Sequence, residues 1–308
     1  MKPTDAPATV FPALRSRARV LVHAYKRAIW SRAVGARGIA RLLLPPIVAR
    51  MASQVGGAEW EYVADHWPQD DRRSFGWDDS TVLRSMLDNW EPYKRAVDGT
   101  EPLAFSPWFT DLPDFKAHNV LMTYGYVLAR AAHRKTRLSV LDWGGALGHY
   151  AAVGNAFLPE VALDFTVKER ADLCTGGRAL LPEVSFTSSD DCFRRRYDLV
   201  MANNSLQYAP NWQAVVRQLA DAAESWLFVM SVPVVHKARS FVVVQRPQRH
   251  GLEADYISWV FNYDEFLRQV TGSGFILQRE FLAFGTDRQH YRKAPEASQV
   301  LGFLFRRT

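Results

Sequence analysis

The feature that most restricts what this chain can fold into is the alternation of strand-like and helix-like runs that begins after Arg137. A parallel pair of strands needs a long crossover, usually a helix, so this alternation predicts a mostly parallel sheet with helices on its faces. Leu138–Asp142 reads as the first strand, followed by a glycine-rich turn and a helix over His149–Phe157. Leu163–Val167, Val184–Thr187 and Asp198–Ala202 read as the next three strands, Trp212–Ala223 as a helix, and the strongly apolar Trp226–Val232 as a fifth strand. A hairpin-like apolar run at Phe241–Val244 comes next, then a helix over Tyr263–Val270 and closing strands at Phe275–Phe281 and Gln299–Phe305. Residues 137–308 are therefore expected to form one α/β domain of the Rossmann-like, doubly wound kind.

The turn after the first strand carries the most chemistry: Leu141-Asp142-Trp143-Gly144-Gly145-Ala146-Leu147-Gly148-His149-Tyr150. Glycines let the backbone approach a ligand closely and adopt dihedrals closed to other residues. In open α/β sheets the ligand lies beyond the carboxyl ends of the strands, where this turn falls. The dinucleotide fingerprint G-x-G-x-x-G/A, started at Gly144, needs a small residue at position 149, and His149 stands there. The spacing acid-x-G-x-G-x-G instead maps onto Asp142, Gly144, Ala146 and Gly148 with one Gly-to-Ala change. That spacing favours S-adenosylmethionine over a nicotinamide cofactor.

Acids and amides at later strand ends extend the pattern. Glu169, just beyond the second strand, is placed to accept hydrogen bonds from both ribose hydroxyls of a nucleoside. Asp190, after the third strand, falls where a carboxylate would meet an adenine amino group, and the fourth strand runs out in Asn203 and Asn204 beside the same pocket. Singly, each acid could equally be a solvated surface residue; their order along successive strand ends argues for a site.

On these residues, Val140 to about Phe281 resembles the class I S-adenosylmethionine-dependent methyltransferases. It is most similar to a branch of bacterial methyltransferases with a Leu-Asp-aromatic-Gly-Gly loop and a Ser-Leu-Gln-Tyr segment, here Ser205–Tyr208. The Trp60–Asp88 region matches more loosely. The resemblance implies a seven-stranded sheet with its last strand antiparallel, and S-adenosylmethionine contacts at Asp142, Gly144, Gly148, Glu169, Asp190 and Asn203. It also implies small acceptors linked to surface glycans or secondary metabolites. Ala146 departs from the commonest glycine pattern by one methyl group.

Methyl transfer from a sulfonium needs in-line positioning and removal of one acceptor proton. A base is expected from loops at the carboxyl ends of the strands, with His236 first, then His149 and Tyr208, although a lone histidine is more often structural. Base-methylating enzymes of nucleic acids carry Asn or Asp, Pro-Pro and an aromatic after the fourth strand. Asn203-Asn204-Ser205-Leu206 stands here instead, so no nucleic-acid acceptor is expected and O-methylation of a small molecule or glycan is preferred. No His/Asp cluster has ligand spacing, so no metal is expected. The rival readings are a non-catalytic binding module on a methyltransferase-like scaffold and a nicotinamide-dependent oxidoreductase.

Upstream, residues 1–50 hold ten Lys or Arg against Asp5 alone, a charge of +9, so the formal total of +6 leaves −3 for the rest. The basic character belongs to this segment and not to the catalytic region. A helix over Pro12–Leu44 with Leu21, Tyr25 and Ile29 on one face is expected for this N-terminal extension (residues 1–52). It fits either a peripheral contact with an anionic membrane or a solvated helix packed on its own domain. Residues 53–136 hold five of the ten tryptophans (Trp60, Trp67, Trp77, Trp90 and Trp108) and read as an aromatic-rich helical cap, with helices over Asp79–Trp90 and Asn119–Arg134. Cys174 and Cys192 stand in no CxxC or Cys/His cluster, which argues against a disulfide scaffold and a structural zinc site. A cytoplasmic location is expected, although the acid-poor, Arg-rich start is equally that of a transit peptide.

Overall fold

The computed structural model describes residues 60–69, 80–105, 114–246 and 255–308. The helix read over Pro12–Leu44, with its membrane role, lies outside the described residues. Within them, no helix is long and apolar enough to cross a membrane.

Strands β2 (Arg137–Trp143), β3 (Ala162–Lys168), β4 (Ser185–Thr187), β5 (Tyr197–Asn203) and β6 (Ala223–Val235) pair in parallel in the spatial order β4-β3-β2-β5-β6. Two further strands, β9 (Phe275–Leu282) and β10 (Gln299–Arg307), complete a seven-stranded sheet. β10 lies between β6 and β9 and is antiparallel to both. This is the doubly wound sheet that the strand-and-helix alternation predicts, with the antiparallel last strand that the resemblance implies.

The interiors of the central strands are mostly apolar because both faces are covered, whereas the edge strand β9 exposes Gln278, Arg279 and Glu280. One face carries α1 (Ser80–Asp88), α2 (Trp90–Asp98), α3 (Phe115–Ala131), α4 (His149–Phe157) and α5 (Ala171–Leu180) over Leu138, Val140, Phe165 and Met201. The other carries α6 (Trp212–Ala222) and α7 (Tyr263–Thr271) over Leu141, Val200 and Phe303. Helix starts are locally specified: the Asp114 carboxylate accepts from Lys116 N, and Asn262 Oδ1 accepts from Glu265 N, each satisfying an amide that the helix itself leaves open.

The upstream region is not helical throughout. Trp60–Ala64 is a strand, β1, paired antiparallel with β7 (Phe241–Gln245), which pairs in turn with β8 (Tyr256–Asn262). β8 joins the main sheet by pairing Phe261 and Asn262 with Val234 and Val235 of β6. One edge of β6 is therefore shared: β5 covers it as far as Met230, and β8 takes it up at Val234.

Candidate functional site

At the carboxyl ends of β2, β3 and β5 lies a cavity of about 920 Å³, walled on its other sides by α1, α3 and the Ala209–Pro210 stretch. Its volume is at the upper end for small-ligand pockets, large enough for a nucleoside-sized cofactor and a second small molecule.

The turn after β2 forms one side. Gly144 (φ +75°) and Gly148 (φ +84°) take left-handed conformations, and so does Ala146 (φ +52°), where an L side chain costs roughly 1–2 kcal/mol. Gly144 N donates to Lys168 O, and Gly148 N to Gly145 O. Gly145 is needed for space: a Cβ there would lie 2.4 Å from Asp142 Oδ2 and 3.1 Å from Val167. Gly144, Gly145 and Ala146 line the cavity; Gly148 does not, and instead caps the start of α4, against Leu181 and Phe186.

The Glu169 carboxylate is pinned in the cavity wall, with Oε2 accepting from Ala146 N (3.1 Å) and Oε1 from Arg170 N (2.8 Å). Burial raises its pKa against these two stabilising bonds. Asp142 lies behind the turn, 1% exposed and outside the cavity lining, with Oδ2 lacking a partner. Burial, with a smaller push from the Glu169 charge, drives its pKa up to about 8. Asp190 is also outside the lining: its side chain is 73% exposed and pairs with Lys168 at 3.3 Å. Lys168, Arg170 and Ser188 take up that end of the wall.

Asn203 lines the opposite side. Its Nδ2 donates to the Tyr150 hydroxyl, and its buried Oδ1 has no partner. Asn204 (φ +52°), Ser205, Tyr208 and Ser231 continue that side. Ser205 Oγ donates to Trp143 O at 2.8 Å, tying the ends of β2 and β5 together.

Of the three candidate bases, His149 and Tyr208 reach the cavity and His236 does not. His149 is 2% exposed, its ring set edge-on to Trp90 (5.2 Å) and Tyr93 (4.9 Å), with Nε2 unpartnered. Burial pushes its pKa down to about 3, so it is neutral at physiological pH. The Tyr208 phenol is pushed up by burial and keeps its proton. His236 is exposed and packs on Tyr263 with ring centroids 5.0 Å apart. Its displacement follows from the length of β6, which continues to Val235 and carries the next residue beyond the cavity. Among the described residues, no group of three or more His, Cys, Asp or Glu could hold a metal ion.

Tyr150, Lys168, Arg170, Ser188 and Ser231 join the site without any motif to announce them. For Tyr150 the signal was available: it lies one residue into α4 from the turn, beside the end of β2.

The sheet order and the left-handed turn after β2 define a Rossmann-like α/β protein with the strand arrangement expected of a class I methyltransferase. No protein-family model and no curated protein matches the sequence. Among solved structures, the chain is similar to Burkholderia thailandensis 1,6-didemethyltoxoflavin-N1-methyltransferase with bound 1,6-didemethyltoxoflavin and S-adenosylhomocysteine. That match has 13% identity and a TM-score of 0.43, over 80% of this chain and 95% of that one. It is also similar to the glycopeptide N-methyltransferase MtfA complexed with sinefungin (11%, 0.42, 61% and 86%). A third is an S-adenosylmethionine-dependent methyltransferase from Clostridium acetobutylicum (7%, 0.40, 64% and 92%). At these identities the likeness concerns the fold.

Proposed function

We propose that the protein is an S-adenosylmethionine-dependent methyltransferase that acts on a small-molecule or glycan-type acceptor, with oxygen as the methylated atom. The observation that carries this reading is the convergence of Glu169, the Gly144–Ala146 backbone and Asn203 on one cavity at the carboxyl ends of β3, β2 and β5. The residues fit the cofactor in chemical kind. Glu169 keeps lone pairs free for ribose hydroxyls after binding two backbone amides, and the orphaned Asn203 Oδ1 calls for a donor such as an amino group.

When bound, S-adenosylmethionine supplies an electrophilic methyl carbon whose leaving group is a neutral sulfide. The chain's own part is to orient and to exclude water. Glu169 and the turn would hold the nucleoside, and Asn203 would accept a hydrogen bond from a cofactor amino group. Tyr208 offers a hydroxyl as donor, and neutral His149 offers one ring nitrogen for a hydrogen bond. The missing Pro-Pro segment after β5 supports a small acceptor over a nucleic acid. Calorimetry with S-adenosylmethionine, S-adenosylhomocysteine and NAD tests the cofactor: both sulfur compounds are expected to bind and NAD is not. Binding of NAD alone overturns the reading.

A further inference from the structure

Among the described residues, five non-glycine residues have positive φ, and three of them (Ala146, Asn204 and Ser231) line the cavity. Asn tolerates the left-handed region well, because its short polar side chain can hydrogen-bond locally. Ser231 is the unusual one. It lies inside strand β6 with φ +60° and is 4% exposed. The ladder between β6 and β10 shows how it is held there. Val229 pairs with Phe303 and Val232 with Leu301, so Met230 and Ser231 together face the single residue Gly302. That is a β-bulge, a device that bends a strand and re-aims a side chain. Gly302 makes room for it, since a Cβ there would meet Met230 Sδ at 2.1 Å. On its other edge, Ser231 falls in the gap between the last β5 pairing at Met230 and the first β8 pairing at Val234.

The bulge thus places a serine on the cavity wall in a conformation that strains it, with no hydrogen bond from its hydroxyl to any described residue. Its carbonyl is engaged, accepting from Gln207 Nε2, which also donates to Asn204 Oδ1 at 2.7 Å. The backbone is therefore locked while the hydroxyl stays available. Strain of this kind persists where the surroundings enforce it, and clusters at ligand-contacting positions.

One stretch of the cavity wall is apolar and partly aromatic: Val120 and Leu121 of α3 with Phe105 and Phe284, where Lys116, also in the lining, lies over the Phe284 ring at 5.3 Å and Asp114 stands at the helix start. A sugar ring set against Val120, Leu121, Phe105 and Phe284 would bury hydroxyls on that side without partners, whereas an aromatic ring stacks there. A flat apolar body with one polar group has no such penalty.

We propose that Ser231 is a specificity-determining residue that orients the acceptor's reacting hydroxyl, and that the acceptor is an apolar, ring-bearing small molecule and not a glycan. This rests on the methyltransferase reading and narrows its substrate class.

The test uses full-length protein saturated with S-adenosylhomocysteine, and 2-naphthol, naphthalene and methyl glucoside as probes, followed by fluorescence and calorimetry. 2-Naphthol is expected to bind and methyl glucoside is not. Ser231→Ala should weaken 2-naphthol by at least about fivefold while leaving naphthalene and S-adenosylhomocysteine within about twofold, as loss of one hydrogen bond requires. Phe284→Ser should weaken both aromatic probes equally. Ser231→Gly, which relieves the strain, should raise Tm yet bind 2-naphthol as poorly as Ser231→Ala. Equal 2-naphthol binding by wild type and Ser231→Ala overturns the role of Ser231. Preference for methyl glucoside overturns the substrate class. If S-adenosylhomocysteine itself does not bind, the cofactor reading falls and takes this inference with it.

Discussion

The Gly144–Gly148 turn and the Asn203–Tyr208 segment follow neighbouring parallel strands, and both contribute to the cavity wall, yet their polar groups are in different states. In the turn, the amides of Gly144, Ala146 and Gly148 are already engaged, by Lys168 O, Glu169 Oε2 and Gly145 O. Around the segment, Asn203 Oδ1 is buried without a partner, and the Ser231 hydroxyl on the same side of the cavity is unengaged. The turn is finished in shape before any ligand arrives, whereas the segment is completed by one. A preformed surface of this kind suits a cofactor common to many reactions. An unfinished polar edge selects by what completes it, the cofactor's amino group at Asn203 Oδ1 and the acceptor at Ser231, because a ligand lacking the matching group leaves a buried one unsatisfied.

The sharpest way to break the comparison is Gly145→Ala. If the turn is packed to its limit against Asp142 and Val167, the added methyl should destabilise the fold by about 1–3 kcal/mol. For a domain of this size that is roughly 2–12 °C in Tm, accompanied by loss of S-adenosylhomocysteine binding. Unchanged thermal unfolding would show that the turn has slack. Next in size is Glu169→Ala, which removes charge-assisted bonds each contributing on the order of 1.5–3 kcal/mol. S-Adenosylhomocysteine affinity measured by calorimetry should fall at least about tenfold, with the protein still folded. An unchanged Kd would take Glu169 out of the site.

A third experiment probes the carboxyl behind the turn. The pKa of Asp142 is raised in the folded state, so folding binds a proton there, and its stabilising contribution is lost as pH rises toward about 8. His149 has the opposite sense: its pKa is lowered to about 3, and stability falls as pH drops below its ordinary range near 6.5. Between about pH 6.5 and 8, then, Asp142 should dominate, and wild type should lose stability with rising pH. Asp142→Asn, which cannot ionise, should flatten that slope and exceed wild type in Tm at pH 8 by a few degrees. Parallel wild-type and variant profiles would show that Asp142 does not titrate there. The smallest effect is expected from Ala146→Gly. Relief of the left-handed strain, roughly 1–2 kcal/mol, is offset by the greater freedom of glycine in the unfolded chain. A net gain of up to about 1 kcal/mol, read as a rise of a few degrees in Tm, is expected. A fall in Tm would mean that the Ala146 methyl packs usefully.

Strand-and-helix alternation made the central sheet readable, and the boundaries of α4 at His149 and Phe157 were read as they stand. Four elements were not legible, α2 among them because Pro92 stands just after the helical pattern that ends at Trp90. Helix α5 contains Thr175, Gly176 and Gly177, poor helix formers that weaken its helical signal. Gly177 is there because any Cβ would meet the Phe186 ring at 2.3 Å. Strand β8 is buried along its whole length, so it shows no polar alternation to announce it. Strand β1 is five residues of intermediate burial whose partner, β7, lies far along the chain. In the site, Gly144 and Glu169 could be read from spacing. Ser231 could not, because nothing local encodes a bulge that depends on Gly302 across the ladder.

Sharing β6 has a consequence for the order in which the molecule assembles. β7 and β8 are near neighbours in sequence and can form their hairpin early, while Trp60 must find Gln245 across most of the chain. Contacts of such separation carry the largest loop-closure entropy and form late. β1 seals the outer edge of the hairpin, which meets β6 in the ladder at Val234 and Val235, packs Val242, Ile257, Trp259 and Phe261 into the core, and donates from Trp259 Nε1 to Pro210 O. The three strands are therefore held to the seven-stranded sheet by side-chain packing more than by ladder hydrogen bonds, and β1 is the last of them to be added.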